Sequence, residues 1–416
     1  EQFIRIFWYY LIFDFPRYIL SDIYVLNFVL KERFRETFSK RQALFDHKLQ
    51  HEPPLVSVIV SALNEARTIP HTLETILEQS YQNLEIIFVN DGSRDDTAQV
   101  MRHYTSPKIK YFELAVRSGK SAALNYGLRH ARGEFIVYID SDMSFERDAI
   151  YKLLRPFANP KVGAVSANVS VLNRNQNMLT SLQFIEYLFS ITMGRIFSAK
   201  MHILSIVSGA LGAFRRSLVD LNTTGGHEPG TGNDADLTIR IQKLGYVVAF
   251  VYDSICWTKV PDKMLSLWRQ RLRWNNTLVK LRLRKHSDVF NIFSNNFRLI
   301  NLISFCDIIF FQVITALFTP VYILYVVVYY PHDIFFIFLL NYVLYAAGDV
   351  LQLVAVCILV KRASYLVYLP YMLLFSLYIK IHKFIRLYAY WQEFMFLASY
   401  QDPFAPPKVR ERMTRW

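Results

Sequence analysis

The chain has 416 residues, 53% apolar and 16% aromatic, with 47 Lys and Arg against 34 Asp and Glu for a net charge of +13. Disorder is excluded, because it needs a polar, aromatic-poor chain, and 14 Gly and 15 Pro exclude a collagen-like segment. The length fits two or three domains, with the charges mostly before residue 298 and the longest apolar runs after it. Cys256, Cys306 and Cys357 are too scattered for a zinc site or a disulfide framework, so buried free thiols are expected. The chain opens on Glu1 rather than Met, which leaves room for a native start upstream.

Residues 3–30 are apolar but interrupted by Asp14, Pro16, Arg17 and Asp22. They read as a membrane-interface helix pair or as the remnant of a spanning helix. Lys31, Arg33, Arg35, Lys40 and Arg41 follow and mark a cytoplasmic side. From Leu55 to about Val260 the pattern turns to soluble α/β. Strands are expected at 56–60, 85–89, 109–112 and 135–139, alternating with helices at 66–79, 94–104 and 121–131. That alternation predicts a parallel sheet covered by helices on both faces, with ligands bound beyond the carboxyl ends of its strands. Asn64-Glu65, Asp91 and Asp140/Asp142 fall at those ends.

A basic stretch follows. Lys263–Ser287 holds eight Lys or Arg and no acid, interleaved with leucines at helical spacing. Such a helix suits an anionic membrane surface on one face. Leu299–Tyr330 and Ile334–Val360 are long enough to span a bilayer, and Tyr365–Ile379 is a shorter third run. Lys361-Arg362 places the second connection inside, whereas Tyr330-Pro-His-Asp333 suits the outside. Three spans would leave the basic tail, Lys408 to Arg415, outside. The charges argue for inside, so 364–400, broken by Pro370, is expected to form a bent hairpin or re-entrant element. Asp307, Gln312, Asn341, Asp349 and Gln352 are costly in lipid and are expected to face a bundle interior, lining a path or merely satisfying one another between helices.

Each chemical motif has an ordinary structural reading beside the functional one. Asp140-Ser-Asp142, directly after an apolar strand, can hold Mg²⁺ or Mn²⁺ against a diphosphate, or is an acidic turn. Asp91 can accept hydrogen bonds from a base or ribose, or closes an Asx turn. Lys120 at a helix start suits phosphate, or is solvated. In Thr231-Gly-Asn-Asp-Ala-Asp-Leu-Thr238, Asp236 fits a helix cap before a helix at 237–244. That leaves Asp234 as a candidate general base. Gln270, Arg273 and Trp274 fall at i, i+3 and i+4 and share a helix face. There Arg can neutralise a leaving diphosphate and Trp can stack on a sugar.

Seven stretches in this order resemble the family 2 glycosyltransferases, specifically the membrane-embedded synthases of hyaluronan, chitin, poly-N-acetylglucosamine and cellulose: Val56–Glu65, Val89–Thr97, Ser118–Gly127, Ile139–Asp142, Val207–Arg216, Gly232–Thr238 and Arg269–Trp274. The resemblance implies a GT-A nucleotide-sugar domain, Rossmann-like with a mixed, mostly parallel sheet, fused to interface helices and a transmembrane bundle. It divides the chain into N-terminal membrane or interface helices (1–54), a cytoplasmic catalytic domain (55–262), basic interface helices (263–298), transmembrane helices (299–401) and a basic cytoplasmic tail (402–416). It implies that Ala62, Glu65 and Asp91 line the uridine pocket and that Lys120 approaches the diphosphate. Asp140 and Asp142 would serve donor and metal, with Mg²⁺ or Mn²⁺ as cofactor. Ser208, Gly209 and Ala210 would floor the acceptor, Asp234 would be the base, and Gln270, Arg273 and Trp274 would meet acceptor and diphosphate. Asn233 departs from the Glu that many members carry before the catalytic Asp, and Ala62 stands where a Pro is common nearby.

The implied reaction is an inverting, processive polymerisation of a UDP-sugar, UDP-N-acetylglucosamine or UDP-glucose, at a bacterial inner membrane. The partners are the growing polysaccharide, the bilayer and an accessory membrane subunit. The alternative is a non-processive transfer to a lipid phosphate. A nucleic-acid-binding protein fits the +13 less well, because the basic excess lies beside membrane segments where positive-inside bias accounts for it. Asp142, Asp234 and Arg273 speak against a silent transport or scaffold subunit.

Overall fold

The computed structural model describes residues 2–36, 40–104, 106–294, 297–401 and 405–412. Of the sequence expectations, residues 402–404 and 413–416 of the basic tail, and the side chains of Arg33 and Arg35, lie outside these.

Eight strands form one sheet: β1 (Val56–Ala62), β2 (Leu84–Asn90), β3 (Ile109–Glu113), β4 (Phe135–Asp140), β5 (Ser144–Phe145), β6 (Val162–Val171), β7 (Leu211–Arg215) and β8 (Val247–Thr258). Their order is β3-β2-β1-β4-β7-β6-β8-β5. The first four neighbours are parallel and β7 runs antiparallel between β4 and β6, which makes the sheet mixed but mostly parallel. Every residue of β1 and β2 is buried, as strands covered on both faces must be, and this explains their unbroken Val, Ile and Phe runs. Register aligns Ala62 with Asn90 and Ser61 with Asp140, so three chain segments leave the sheet at one edge.

The helices that matter for the site are α1 (Ile69–Leu77), α2 (Lys120–His130), α3 (Met178–Glu186), α4 (Asn233–Lys243) and α5 (Met264–Val279). Gly127 seats α2 on the sheet. A Cβ there would stand 2.6 Å from the Ile59 side chain.

Three helical stretches are long and apolar enough to cross a membrane: Leu299–Tyr329, Ile334–Val360 and Ala363–Phe396. The helix pair considered for residues 3–30 is not seen. Helical turns run unbroken from Gln2 to Glu36, with π-turns on both sides of Phe15, next to Pro16. This helix lies along the first apolar stretch: Tyr9 Oη bonds Thr319 at 2.8 Å and Arg17 pairs with Asp307 at 3.1 Å. Of the polar residues expected inside the bundle, Asp307, Asn341 and Asp349 bridge helices. Asn341 donates to Tyr322 Oη at 2.9 Å, and Ser376 donates to Asp349.

The expected bent hairpin at 364–400 is not formed. Pro370 sits in 3₁₀ turns at Ala363–Tyr371, which lead into one unbroken helix, α6 (Met372–Phe396). Both ends of this segment rest on the sheet domain and the basic helices that follow it. Tyr368 Oη donates to Asn175 at 2.7 Å, and Arg284 pairs with Glu393. Long and apolar as it is, α6 lies along α5, the placement of a helix at a membrane surface. The tail therefore returns to the catalytic domain, where Pro406 and Val409 pack beside Gly119. Of the three cysteines, all free, Cys256 and Cys357 are buried as expected, but Cys306 is exposed.

Candidate active site

At the sheet's carboxyl edge, Asp91 is buried and accepts the amides of Ser118 (2.6 Å) and Gly119 (2.8 Å). Burial raises its carboxyl above the usual range, against those two amides, which favour the charge. Its own amide donates to the Ala62 carbonyl at 2.9 Å. Asp91 thus fixes the loop before α2. Gly92, at φ +65°, permits the contact, since a Cβ would sit 2.7 Å from the Arg117 amide. Glu65 lies beside this loop, its amide held by Thr97 Oγ1 at 2.9 Å.

The loop delivers Lys120, the first residue of α2, to Asp140 at the end of β4, and the two form an ion pair. Burial opposes the ammonium charge, but Asp140, Asp234 and Asp142 outweigh it and raise the Lys120 pKa. Asp142 is exposed at the mouth yet crowded by protein. That desolvation, with the charges of Asp140 and Glu65, pushes its carboxyl up to about 6. No cluster of three or more His, Cys, Asp or Glu ligands occurs among the described residues. Asp140 and Asp142 fit a divalent cation as a hard-oxygen pair whose charges repel until one is bound, with a diphosphate completing the shell.

On the opposite wall, Asp234 Oδ2 accepts the Gly209 amide at 3.2 Å. A Cβ at Gly209 would lie 3.2 Å from Lys120 Nζ, 3.3 Å from Asp234 Oδ2 and 3.7 Å from Asp140 Oδ2. Three charged groups from three elements therefore meet over one bare backbone position. Ser208 lines the same cleft, as does His227. Burial, with the charges of Lys120 and Arg240, lowers the His227 pKa to about 3, so this imidazole is neutral.

One expectation is corrected here. Helix α4 begins at Asn233, not Leu237, because Gly232 adopts φ +79° and turns the chain into the helix early. Asp236 therefore lies one turn inside and cannot cap. At 2% exposure it pairs with Arg240 (2.7 Å), Lys285 (2.5 Å) and His286 (2.8 Å). Burial alone would raise its carboxyl; these three partners hold it well below the usual range.

Helix α5 docks where α4 begins. A Cβ on Gly232 would strike the Thr277 methyl and lie 3.0 Å from Leu281. Arg273 and Trp274 stand one turn before Thr277, and the Trp274 indole is 44% exposed. Gln270 is part-buried a turn further back. The site residues read from the sequence are thus brought to one region, with Gln270, Arg273 and Trp274 on an adjoining helix. Missed were Arg271, buried and paired to Glu186 at 2.9 Å, and His227. Glu186 stands alone as an acid in the apolar run Leu182–Met193, and that is a readable signal.

Residues 57–221 match the glycosyl transferase family 2 model, and residues 235–398 match a chitin synthase model. Residues 57–221 thus form a family 2 glycosyltransferase domain. It is 29% identical over 269 residues to the poly-beta-1,6-N-acetyl-D-glucosamine synthase of Staphylococcus epidermidis, covering 64% of this chain and 63% of that protein. Against the Staphylococcus aureus protein of the same name it is 28% identical over 280 residues, covering 66% and 65%. The chain thus spans somewhat under two thirds of the length of these relatives. Among solved structures, a Pyrobaculum calidifontis mannosyltransferase in complex with GDP-Man and Mn²⁺ superposes with a TM-score of 0.57 at 22% identity, over 90% of this chain and 99% of that one. That likeness places the glycosyltransferase domain in the GT-A fold.

Proposed function

We propose that this glycosyltransferase polymerises UDP-N-acetylglucosamine with inversion, processively, and passes the product through its own membrane region, with the catalytic domain cytoplasmic. The observation that carries this reading is the meeting of Lys120, Asp140 and Asp234 at Gly209, beside a helix that exposes Trp274. The names of the relatives support the choice of sugar.

Ala62, Glu65 and Asp91 would hold the uridine, and Lys120 and Arg273 would bear on the diphosphate. Asp140 and Asp142 would hold Mg²⁺ or Mn²⁺, which offsets charge on the donor diphosphate. Asp234 takes the proton from the acceptor hydroxyl. The freed oxygen attacks the anomeric carbon from the face opposite UDP, the bond from that carbon to the diphosphate oxygen breaks, and UDP leaves with its electron pair. Gly209 lets acceptor and donor approach without a side chain between them, and its amide orients the base. Ser208 would line the acceptor floor, and Gln270 and Trp274 would hold the chain end. A growing polymer bound there, rather than released, is what makes transfer repeat; an accessory subunit would act at the membrane exit.

Purified protein in vesicles, given UDP-N-acetylglucosamine, UDP-glucose or a lipid phosphate acceptor, tests this. Polymer and UDP should form from UDP-N-acetylglucosamine with Mg²⁺ or Mn²⁺ and stop with EDTA. Transfer of one sugar to the lipid phosphate without polymer would overturn the reading.

A further inference from the structure

Helix α5 carries Arg271 among residues expected to face the acceptor, yet Arg271 is only 8% exposed. Its Nη2 meets Glu186 Oε2 at 2.9 Å, and its guanidinium carbon stands 4.4 Å from the Trp274 ring centroid. Glu186 closes helix α3 of the catalytic domain. Its Oε2 also accepts Tyr378 Oη at 2.7 Å, and its Oε1 lies 3.6 Å from His382 Nδ1; both partners are on α6. One carboxylate therefore ties together α3, the Trp274 helix α5 and α6.

An indole has two faces. A guanidinium lies over one of the faces of Trp274, and the ring is otherwise 44% open. A flat cation is attracted to an aromatic face, more strongly as the pair is desolvated. A ring held in place before binding also loses less side-chain entropy when a ligand stacks on it. Were Glu186 neutral, Arg271 would lose its only carboxylate partner recorded among the described residues, leaving the Tyr378 hydroxyl as its remaining side-chain anchor and the guanidinium held less firmly under the ring.

We propose that Glu186 is a positioning residue for the acceptor: it holds Arg271 against one face of Trp274 and so presents the other face as a single-sided platform for the terminal sugar ring. The preferred ligand is a β-linked hexopyranose with equatorial substituents, because its flat C–H face matches an indole, whereas an axial hydroxyl would lift it off. This rests on the proposed function only in taking a sugar chain as the ligand.

The test uses the full chain in detergent with the β-linked tetramer of N-acetylglucosamine as probe. Glu186→Gln and Arg271→Lys are each expected to weaken tetramer binding and raise acceptor KM about tenfold, leaving donor KM within twofold; Glu186→Asp should restore most of the loss. The Lys variant separates the roles, since it keeps an ion pair for anchoring the helices but has no planar group for the indole. Unchanged tetramer affinity in Glu186→Gln, or normal affinity in Arg271→Lys, would overturn the proposal. So would acceptor and donor KM rising together, which marks a general loss of fold. Tetramer binding that depends on Glu186 in a protein that makes no polymer would sustain the proposal and overturn the function.

Discussion

Two carboxylates two residues apart, Asp234 and Asp236, do opposite work. Asp234 faces the cleft and Gly209, while Asp236 is sealed among Arg240, Lys285 and His286. Asp234→Asn is expected to cut transfer by ~10²–10⁴-fold, the usual contribution of a positioned base, with UDP affinity unchanged by titration. Asp236→Asn leaves a buried cluster of cations without its anion, a change of the kind that costs about 3–5 kcal/mol. Thermal unfolding should show it as a large fall in midpoint. A third carboxylate tests fold stability away from the site. Glu85, buried on β2, is held down to about 2, against burial, by Lys110, the Ser57 hydroxyl and the Arg132 amide. A carboxyl depressed in the folded state contributes stability above its unfolded pKa and loses it as pH falls through the folded one. Glu85→Gln should therefore lower the unfolding midpoint at pH 7 and matter progressively less from about pH 4.5 down to 2.

At the scale of elements, the site is made by loops that leave β1, β2 and β4 together and by α4 arriving from the other side. The first half was legible, because strands with long apolar runs followed by Glu65, Asp91 and Asp140 fit a buried parallel sheet. The start of α4 was not. Asp236 has the chemistry of a cap, and nothing local says that Gly232 turns left-handed five residues before the apolar pattern begins. Arg271 was equally hidden, since its basic neighbours Arg269 and Arg273 look the same in sequence and only the long-range partner Glu186 distinguishes it. The meeting of elements predicts the effect of filling Gly209. Gly209→Ala would push Lys120 and Asp234 apart, and misplacement on the order of 1 Å at reacting groups costs about 10²-fold. Transfer assays should show that loss with an unchanged unfolding midpoint.

For the whole molecule, hydropathy counts three candidate crossings after residue 298, whereas the contacts at both ends of α6 favour two. The charges fit that count, because Lys361, Arg362 and the basic tail lie beyond the two ends of α6, and hydropathy alone cannot tell a helix lying beneath a domain from one crossing lipid. Single cysteines at Ser364, Gln401 and His332, in a Cys306→Ser background, test this with an impermeant thiol reagent on sealed vesicles. The first two should label from the side of the catalytic domain and the third from the opposite side. Labelling of positions 364 and 401 from opposite sides would restore the third crossing.

The contact between Gly232 and Thr277 also sets the direction in which this enzyme can be varied. Residue 232 cannot grow, because its backbone turn and the Thr277 methyl both forbid a side chain. Residue 277 can shrink, to Ser or Ala, and a smaller neighbour would let α5 settle closer to Asp234, the proposed base. Variation in how deep an acceptor sits, whether by drift or by directed libraries, is thus a one-way path that opens at 277 and is closed at 232.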